Sequence, residues 1–327
     1  MIPRRKLGRS GLEVTLIGLG GLFVSKIGGP FDQAKAAIHC ALAHGINYVD
    51  TAPGYLDSEE VLGRALQGET APFVLSTKLG GRPLPFHPQD RRDLELSFAE
   101  SLRLMGRPID LLMIHEPDRP GQYDWWADKD QFHGPVLDYI RELKSKGIVK
   151  AIGLGGTTVY ELPRIIRTGC FDVVLTAFNY SLLWREAEIE VLPAAIEQGI
   201  GIIIGSPLQQ GALSQRYDEQ IATGAPWLSK PRREQYRALY TLLDELNMPI
   251  AELALRFVIS NPNISTVLSG ARSVVEIEQN LASVEKGPLA PLILQRLDEI
   301  AAMVPFRPFE EPFGLPFNRP YAGPWQA

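Results

Sequence analysis

Short apolar runs alternate with longer amphipathic stretches along most of the chain, the pattern that parallel strands joined by crossover helices require. The runs Val14–Leu19, Ile46–Asp50, Phe73–Thr77, Ile109–Ile114, Val149–Gly153, Val173–Ala177, Gly201–Ile204 and Ser265–Leu268 read as strands. Between them, Ala36, Ala37, Cys40 and Leu42 gather near one side of a helix over Asp32–His44, and Leu94, Phe98, Leu102 and Met105 recur at helical spacing. Val136–Lys146 and Ala187–Gln198 read as further helices, stopped by Gly147 and Gly199. The units fit one closed α/β (β/α)8 TIM barrel, a single domain over residues 1–327 with long loops at its C-terminal face. Ahead of it, Arg4–Leu7 and Leu12–Val14 flank Gly8–Gly11 as a β-hairpin that plugs the bottom of the barrel. The aromatic tail 305–327 lacks any period and reads as a C-terminal loop lying over apolar surface.

Composition narrows the class. Hydrophobic residues make up 45% and charged residues 22% of 327 positions, which is globular composition. Lys and Arg total 33 against 38 Asp and Glu, a net charge of −5, so nothing in the balance favours a nucleic-acid surface. No uncharged apolar run approaches the roughly 18 residues of a membrane span. The three basic residues Arg4, Arg5 and Lys6 precede Gly8–Gly11 rather than an apolar signal core, so a cytoplasmic protein is expected. Cys40 and Cys170 are too few for a disulfide scaffold, and His39, His44, His87 and His133 make no compact ligand pattern, so no metal is expected. Nothing in the sequence sets an oligomeric state.

Two glycine runs invite a dinucleotide-loop reading and fail it. The third glycine of the motif falls on Phe23 after Gly18 and Gly20, and on Thr158 after Gly153 and Gly155. The chemistry sits elsewhere. Asp50 closes a strand, Tyr55 follows in its loop, and Lys78 and His115 come directly after the next two strands, so a barrel brings all four to its mouth. With Lys78 beside it and Asp50 paired to that lysine, the phenol of Tyr55 is expected to ionise below its usual value. Such a phenol gives or takes a proton while His115 orients the reacting oxygen, which suits reversible hydride transfer at a carbonyl or alcohol carbon. Side chains supply no hydride, so a nicotinamide or comparable redox cofactor is required.

The strings NYVDTAPGY around Asp50 and Tyr55, STKLG around Lys78 and LLMIHEP around His115, with the opening RRKLGRSGLEVTLIGLGG, resemble the aldo-keto reductase superfamily up to about Asn280. The resemblance implies a (β/α)8 barrel with catalytic Asp50, Tyr55, Lys78 and His115. It also implies an extended NAD(P) held by the loops after strands seven and eight. SPLQQGALS then places Ser206, Leu208, Gln210 and Gly211 beside the pyrophosphate, and SGARSVVEIEQN places Ser269, Gly270, Ala271, Arg272, Glu276, Gln279 and Asn280 around the adenosine. Glu276 is a poor neighbour for a 2′-phosphate and Arg272 a good one; NAD is the expected cofactor, with NADP the alternative.

Where the family presents Ser-Asn and Gln to the carboxamide, this chain has GLGGTTV and TAFNYSLL, and Thr157, Asn179 or Tyr180 are the substitutes, Tyr180 by stacking on the nicotinamide. The long connection HEPDRPGQYDWWADKDQFHG offers Trp125 and Trp126 as rim residues for a compact polar substrate, joined by Phe23, Trp227 and the aromatic tail. These features resemble the branch containing aldose 1-dehydrogenases and pyridoxal 4-dehydrogenase. They imply oxidation of an aldose at C1 to its lactone. The alternatives are reduction of small aldehydes or ketones, pyridoxal-type oxidation, and a redox-sensing binding subunit.

Overall fold

The computed structural model describes residues 2–82, 84–119, 123–224 and 228–306. Strands β1 (Arg4–Lys6) and β2 (Glu13–Thr15) pair antiparallel. Strands β3 (Ile17–Gly20), β4 (Tyr48–Asp50), β5 (Val74–Leu79), β6 (Leu111–His115), β7 (Ala151–Gly156), β8 (Val173–Ala177), β9 (Gly201–Gly205) and β10 (Thr266–Ser269) follow one another in parallel around a closed barrel. The helices are α1 (Phe31–Ala43), α2 (Ser58–Ala65), α3 (Arg91–Met105), α4 (Pro135–Ser145), α5 (Leu162–Ile166), α6 (Val191–Glu197), α7 (Asp218–Thr223), α8 (Lys230–Leu246), α9 (Ile250–Ser260), α10 (Val274–Glu285) and α11 (Pro291–Ala302). The expected barrel and hairpin are both present.

Strand periodicity divides the interior into two layers of packing. Tyr48, Val74, Leu111, Met113, Ala151, Val173, Leu175, Ile203 and Leu268 form an inward cluster, which Leu7 and Val14 of the hairpin region complete. Val49, Leu75, Leu79, Leu112 and Ile114 point the other way, into the larger core under the helices. The same alternation turns Asp50, Ser76, Lys78 and His115 inward at the C-terminal ends of their strands. Asp50 stands opposite Ser76, and His115 opposite Gly155. An apolar base beneath a polar mouth results.

Several boundaries differ from the sequence reading. Val14 belongs to the hairpin, and the first barrel strand starts at Ile17. The fifth barrel strand runs on through Gly156 instead of ending at Gly153, since glycine carries no local preference that marks a strand. The helix expected over Ala187–Gln198 begins only at Val191, because Pro193 is tolerated in a first turn and not in an interior. A short 3-10 turn over Glu186–Glu188 precedes it. Trp227 and the tail from 307 onward lie outside the described residues. Among the described residues no helix is long and apolar enough to cross a membrane.

Helices α2 and α3 meet backbone to backbone at Gly63, where any Cβ would run into the Leu104 carbonyl. Gly63→Ala is therefore expected to destabilise the fold by about 1–3 kcal/mol, the usual range for overpacking. Urea unfolding measures it, and an unchanged midpoint would disprove the close approach.

Candidate active site

The site begins with a buried ion pair. Lys78 Nζ donates to Asp50 Oδ2 at 2.7 Å and to the Thr51 carbonyl at 2.8 Å, and Ser76 Oγ donates to Asp50 Oδ1 at 2.9 Å. Both charged side chains are almost wholly buried, at 1% and 2% exposure. Gly155 makes room for the lysine: a Cβ there would lie 3.2 Å from Lys78 Cε and 3.4 Å from Cδ. A glycine in the fifth barrel strand thus serves the stem of a residue two strands away.

Two rings complete the group. Lys78 Nζ stands 4.8 Å from the centre of the Tyr55 ring. Tyr55 and His115 meet edge to face, with centroids 5.6 Å apart at 80°. The four residues expected to converge do so, Lys78 within its strand rather than beyond it and His115 as the last residue of its own.

The electrostatics correct one expectation. The Tyr55 phenol ionises above its ordinary value, because burial outweighs the pull of the Lys78 ammonium, and Asp50 and Glu116 push the same way as burial. Burial pulls Lys78 downward, but Asp50 and Tyr55 outweigh it and hold the ammonium above its usual range. Burial raises the Asp50 carboxyl too, against Lys78 and Ser76; with donors on both oxygens we take it as the charged acceptor of the pair. Burial, helped by Lys78, holds His115 well below its usual value. At neutral pH the site therefore presents a protonated phenol, a neutral imidazole and an ammonium fixed by a carboxylate. That set delivers a proton to an oxygen, or removes one from it.

The surrounding loops bear on a dinucleotide. Thr157 follows β7, and its hydroxyl is buried with no partner, the kind of orphan an amide ligand satisfies. Asn179 spends its amide on the Thr157 carbonyl (2.9 Å) and Thr176 Oγ1 (3.3 Å). Tyr180 does not stack at the mouth: its ring packs on Phe257 of α9 at 5.4 Å, and its hydroxyl accepts from Asn261. Phe178, missed in the sequence, is the ring that directly follows β8, with φ of 69°.

After β9, Ser206, Gln209 and Gln210 all have positive φ (56°, 47° and 52°), a run of strained residues of the sort that collects around ligands. Ser206, Leu208, Gln210 and Gly211 are partly exposed there, whereas Gln209 is buried and donates to Ser181 Oγ. After β10, Asn280 donates to Ser269 Oγ at 2.7 Å, Ala271 is buried and Gln279 exposed. Arg272 gives Glu276 both its backbone N–H (2.7 Å) and its guanidinium (3.1 Å). Orphaned hydroxyl, strained loop and the Ser273-capped start of α10 together fit an elongated amide-bearing anion.

The aromatic residues separate. A Cβ on Gly270 would fall 2.7 Å from the Phe23 ring, so Phe23 covers the loop after β10. Trp125 is fully buried against Phe86 and Tyr123, and a Cβ on Gly80 would lie 3.3 Å from it and 3.6 Å from His115 Cβ. Trp126 is committed to its own loop, donating to the Pro117 carbonyl at 3.0 Å and packing on Phe132.

The profile of the Aldo/keto reductase family matches residues 16–302. L-galactose dehydrogenase of Arabidopsis thaliana is 28% identical over 97% of this chain and 99% of its own. D-threo-aldose 1-dehydrogenase of a Pseudomonas species is 30% identical over 83% and 89%. A holo-form aldo-keto reductase of Bacillus halodurans superposes with a TM-score of 0.73 at 25% identity, covering 92% of this chain and 97% of that one.

The raised phenol fixes a pH signature. Were Tyr55 the proton acceptor of an oxidation, the reaction would need the ionised phenol, and kcat/KM for oxidation should climb about tenfold per pH unit from about pH 6 to 9, with no limb from His115. Reduction, which uses the protonated phenol, should stay level there. Steady-state profiles in both directions measure this, and a histidine limb near neutrality would contradict it.

Proposed function

The chain belongs to the aldo/keto reductase family and is an NAD(P)-dependent oxidoreductase; from that premise we propose that it oxidises a cyclic aldose at its anomeric carbon to the lactone, with NAD as acceptor. The observation that carries the reading is the Asp50–Lys78 pair set against the Tyr55 and His115 rings. The names of the relatives, a galactose dehydrogenase and an aldose 1-dehydrogenase, point to the substrate class.

Tyr55 takes the proton from the anomeric hydroxyl as the C1–H bond gives up its hydride and the carbonyl forms. Lys78 stabilises the phenolate that this requires, and Asp50 with the Thr51 carbonyl keeps the ammonium in place. Neutral His115 holds the reacting oxygen by a hydrogen bond. When bound, the nicotinamide supplies the hydride acceptor; the Thr157 hydroxyl would meet its carboxamide, the 206–211 loop its pyrophosphate, and Arg272 and Asn280 its adenosine end. Arg272 is engaged by Glu276, and a carboxylate beside that guanidinium would repel a 2′-phosphate, which favours NAD. A second reading, reduction of a small aldehyde or ketone, is favoured by the protonated resting phenol.

A panel of aldoses, pyridoxal and simple aldehydes, each assayed with NAD and NADP in both directions, tests the proposal. Aldose oxidation with NAD should be the fastest of these, and Tyr55→Phe should lower it about 10²- to 10⁴-fold while cofactor binding persists. Cofactor binding without turnover of any substrate would replace it with a sensing subunit. Glu276→Gln frees Arg272 and should raise the preference for NADP over NAD by about tenfold, the range expected for one charged contact. An unaltered ratio would remove the argument for NAD.

A further inference from the structure

The loop that carries Tyr55 is fastened to the strand that carries Lys78 by a buried polar cluster on the outer side of the barrel. Ser76 and Lys78 face inward, so Thr77 between them faces the helices. Its hydroxyl donates to Glu59 Oε1 at 2.6 Å. Glu59 stands in the first turn of α2, four residues beyond Tyr55, and is 2% exposed. Its other oxygen accepts from the guanidinium of Arg82, in the loop that leaves β5, and Arg82 also donates to Ser101 Oγ of α3 at 3.0 Å. A smaller clasp closes the same loop: Thr51 Oγ1 and Ser58 Oγ lie 2.7 Å apart, and Ser58 Oγ donates to the Gly21 carbonyl.

A carboxylate this deep is costly unless its oxygens find donors, and both do. Each donor belongs to a segment next to a reacting group. Leu56, directly after Tyr55, has φ of 52°, a conformation that persists only where its surroundings over-determine it.

We propose that Glu59 is a positioning residue for proton transfer, holding the Tyr55 loop in register with Lys78. Arg82 neutralises it, so its effect is on distance rather than on field. The proposal rests on Tyr55 as the proton carrier.

The test uses the full-length protein and Glu59→Gln, which keeps the size and the contact to Thr77 but not the charge that Arg82 meets. A displacement well under 1 Å suffices for a fall of about tenfold in kcat. That fall is expected with cofactor stoichiometry and affinity by fluorescence titration unchanged; in Thr77→Val, which leaves Glu59 and Arg82 paired, the Tyr55 limb of the pH profile should move upward as Lys78 becomes more distant. Thr77→Val should reproduce the loss and Thr77→Ser restore it, which guards against a glutamine variant that folds poorly. An unchanged kcat and pH limb, or a loss of kcat matched by loss of cofactor sites, would overturn the inference. Hydrogen–deuterium exchange of the unliganded protein reads the clasp without any turnover: residues 51–58 should exchange faster in Glu59→Gln and residues 201–205 should not. Equal exchange at 51–58 would reject the clasp, whereas faster exchange in a protein whose wild type turns nothing over would reject the functional reading alone.

Discussion

A lysine and an aspartate, nearly sealed from solvent, hold each other at 2.7 Å at the top of a barrel whose lower layers are apolar. Withdrawing two such charges from water costs several kcal/mol each, and mutual attraction offsets this only when the remaining hydrogen-bonding capacity is filled. Here the Thr51 carbonyl takes a second lysine proton and Ser76 serves the second carboxylate oxygen. Closing the strands into a ring is what makes this affordable. Neighbouring strands set Asp50 level with Ser76, two residues below Lys78, and a glycine two strands away leaves the lysine stem its volume.

The barrel and Asp50, Lys78 and His115 were legible because strand periodicity and strand ends record them, and Tyr55 because it lies in the short loop that follows Asp50. Inward and outward positions alternate, so a residue at the apolar run's end is assigned a face by counting. Counting fails where the backbone departs from the strand. Phe178 adopts a left-handed conformation directly after β8, and from there the direction of each side chain is reset. Tyr180 consequently packs into the helical layer on Phe257, and an aromatic role assigned to it from sequence belongs to no residue that counting identifies.

The sign of the Tyr55 shift was hidden for a different reason. Sequence shows which charges a phenol has for neighbours but not how much water it loses, and depth decides this case. The cofactor loops are obscure on a third ground. Where Ser206, Gln209 and Gln210 bend the chain against their own preference, the shape of the loop lies in its backbone, and a side-chain motif records little of it. The failed Gly-x-Gly-x-x-Gly readings at Phe23 and Thr158 belong with this: an open loop set needs no fixed third glycine.

Strain then has a distribution. Leu56 beside Tyr55, Glu116 beside His115 and Phe178 after β8 all carry positive φ, at 52°, 50° and 69°. Each would relax if its segment were free. Each is instead tied by hydrogen bonds to a neighbouring segment: Glu116 N–H to the Gly155 carbonyl at 2.6 Å, the Leu56 loop through Ser58 to Gly21, and the segment past Phe178 through Asn179 to Thr157. Such conformations cost of order 1–3 kcal/mol apiece, so they draw on the stability of the strands and turns that hold them. The rigidity that sets phenol, imidazole and ammonium therefore rests on hydrogen bonds between adjoining segments at the barrel mouth, and a substitution that loosens one of them can displace these groups without touching any of the three.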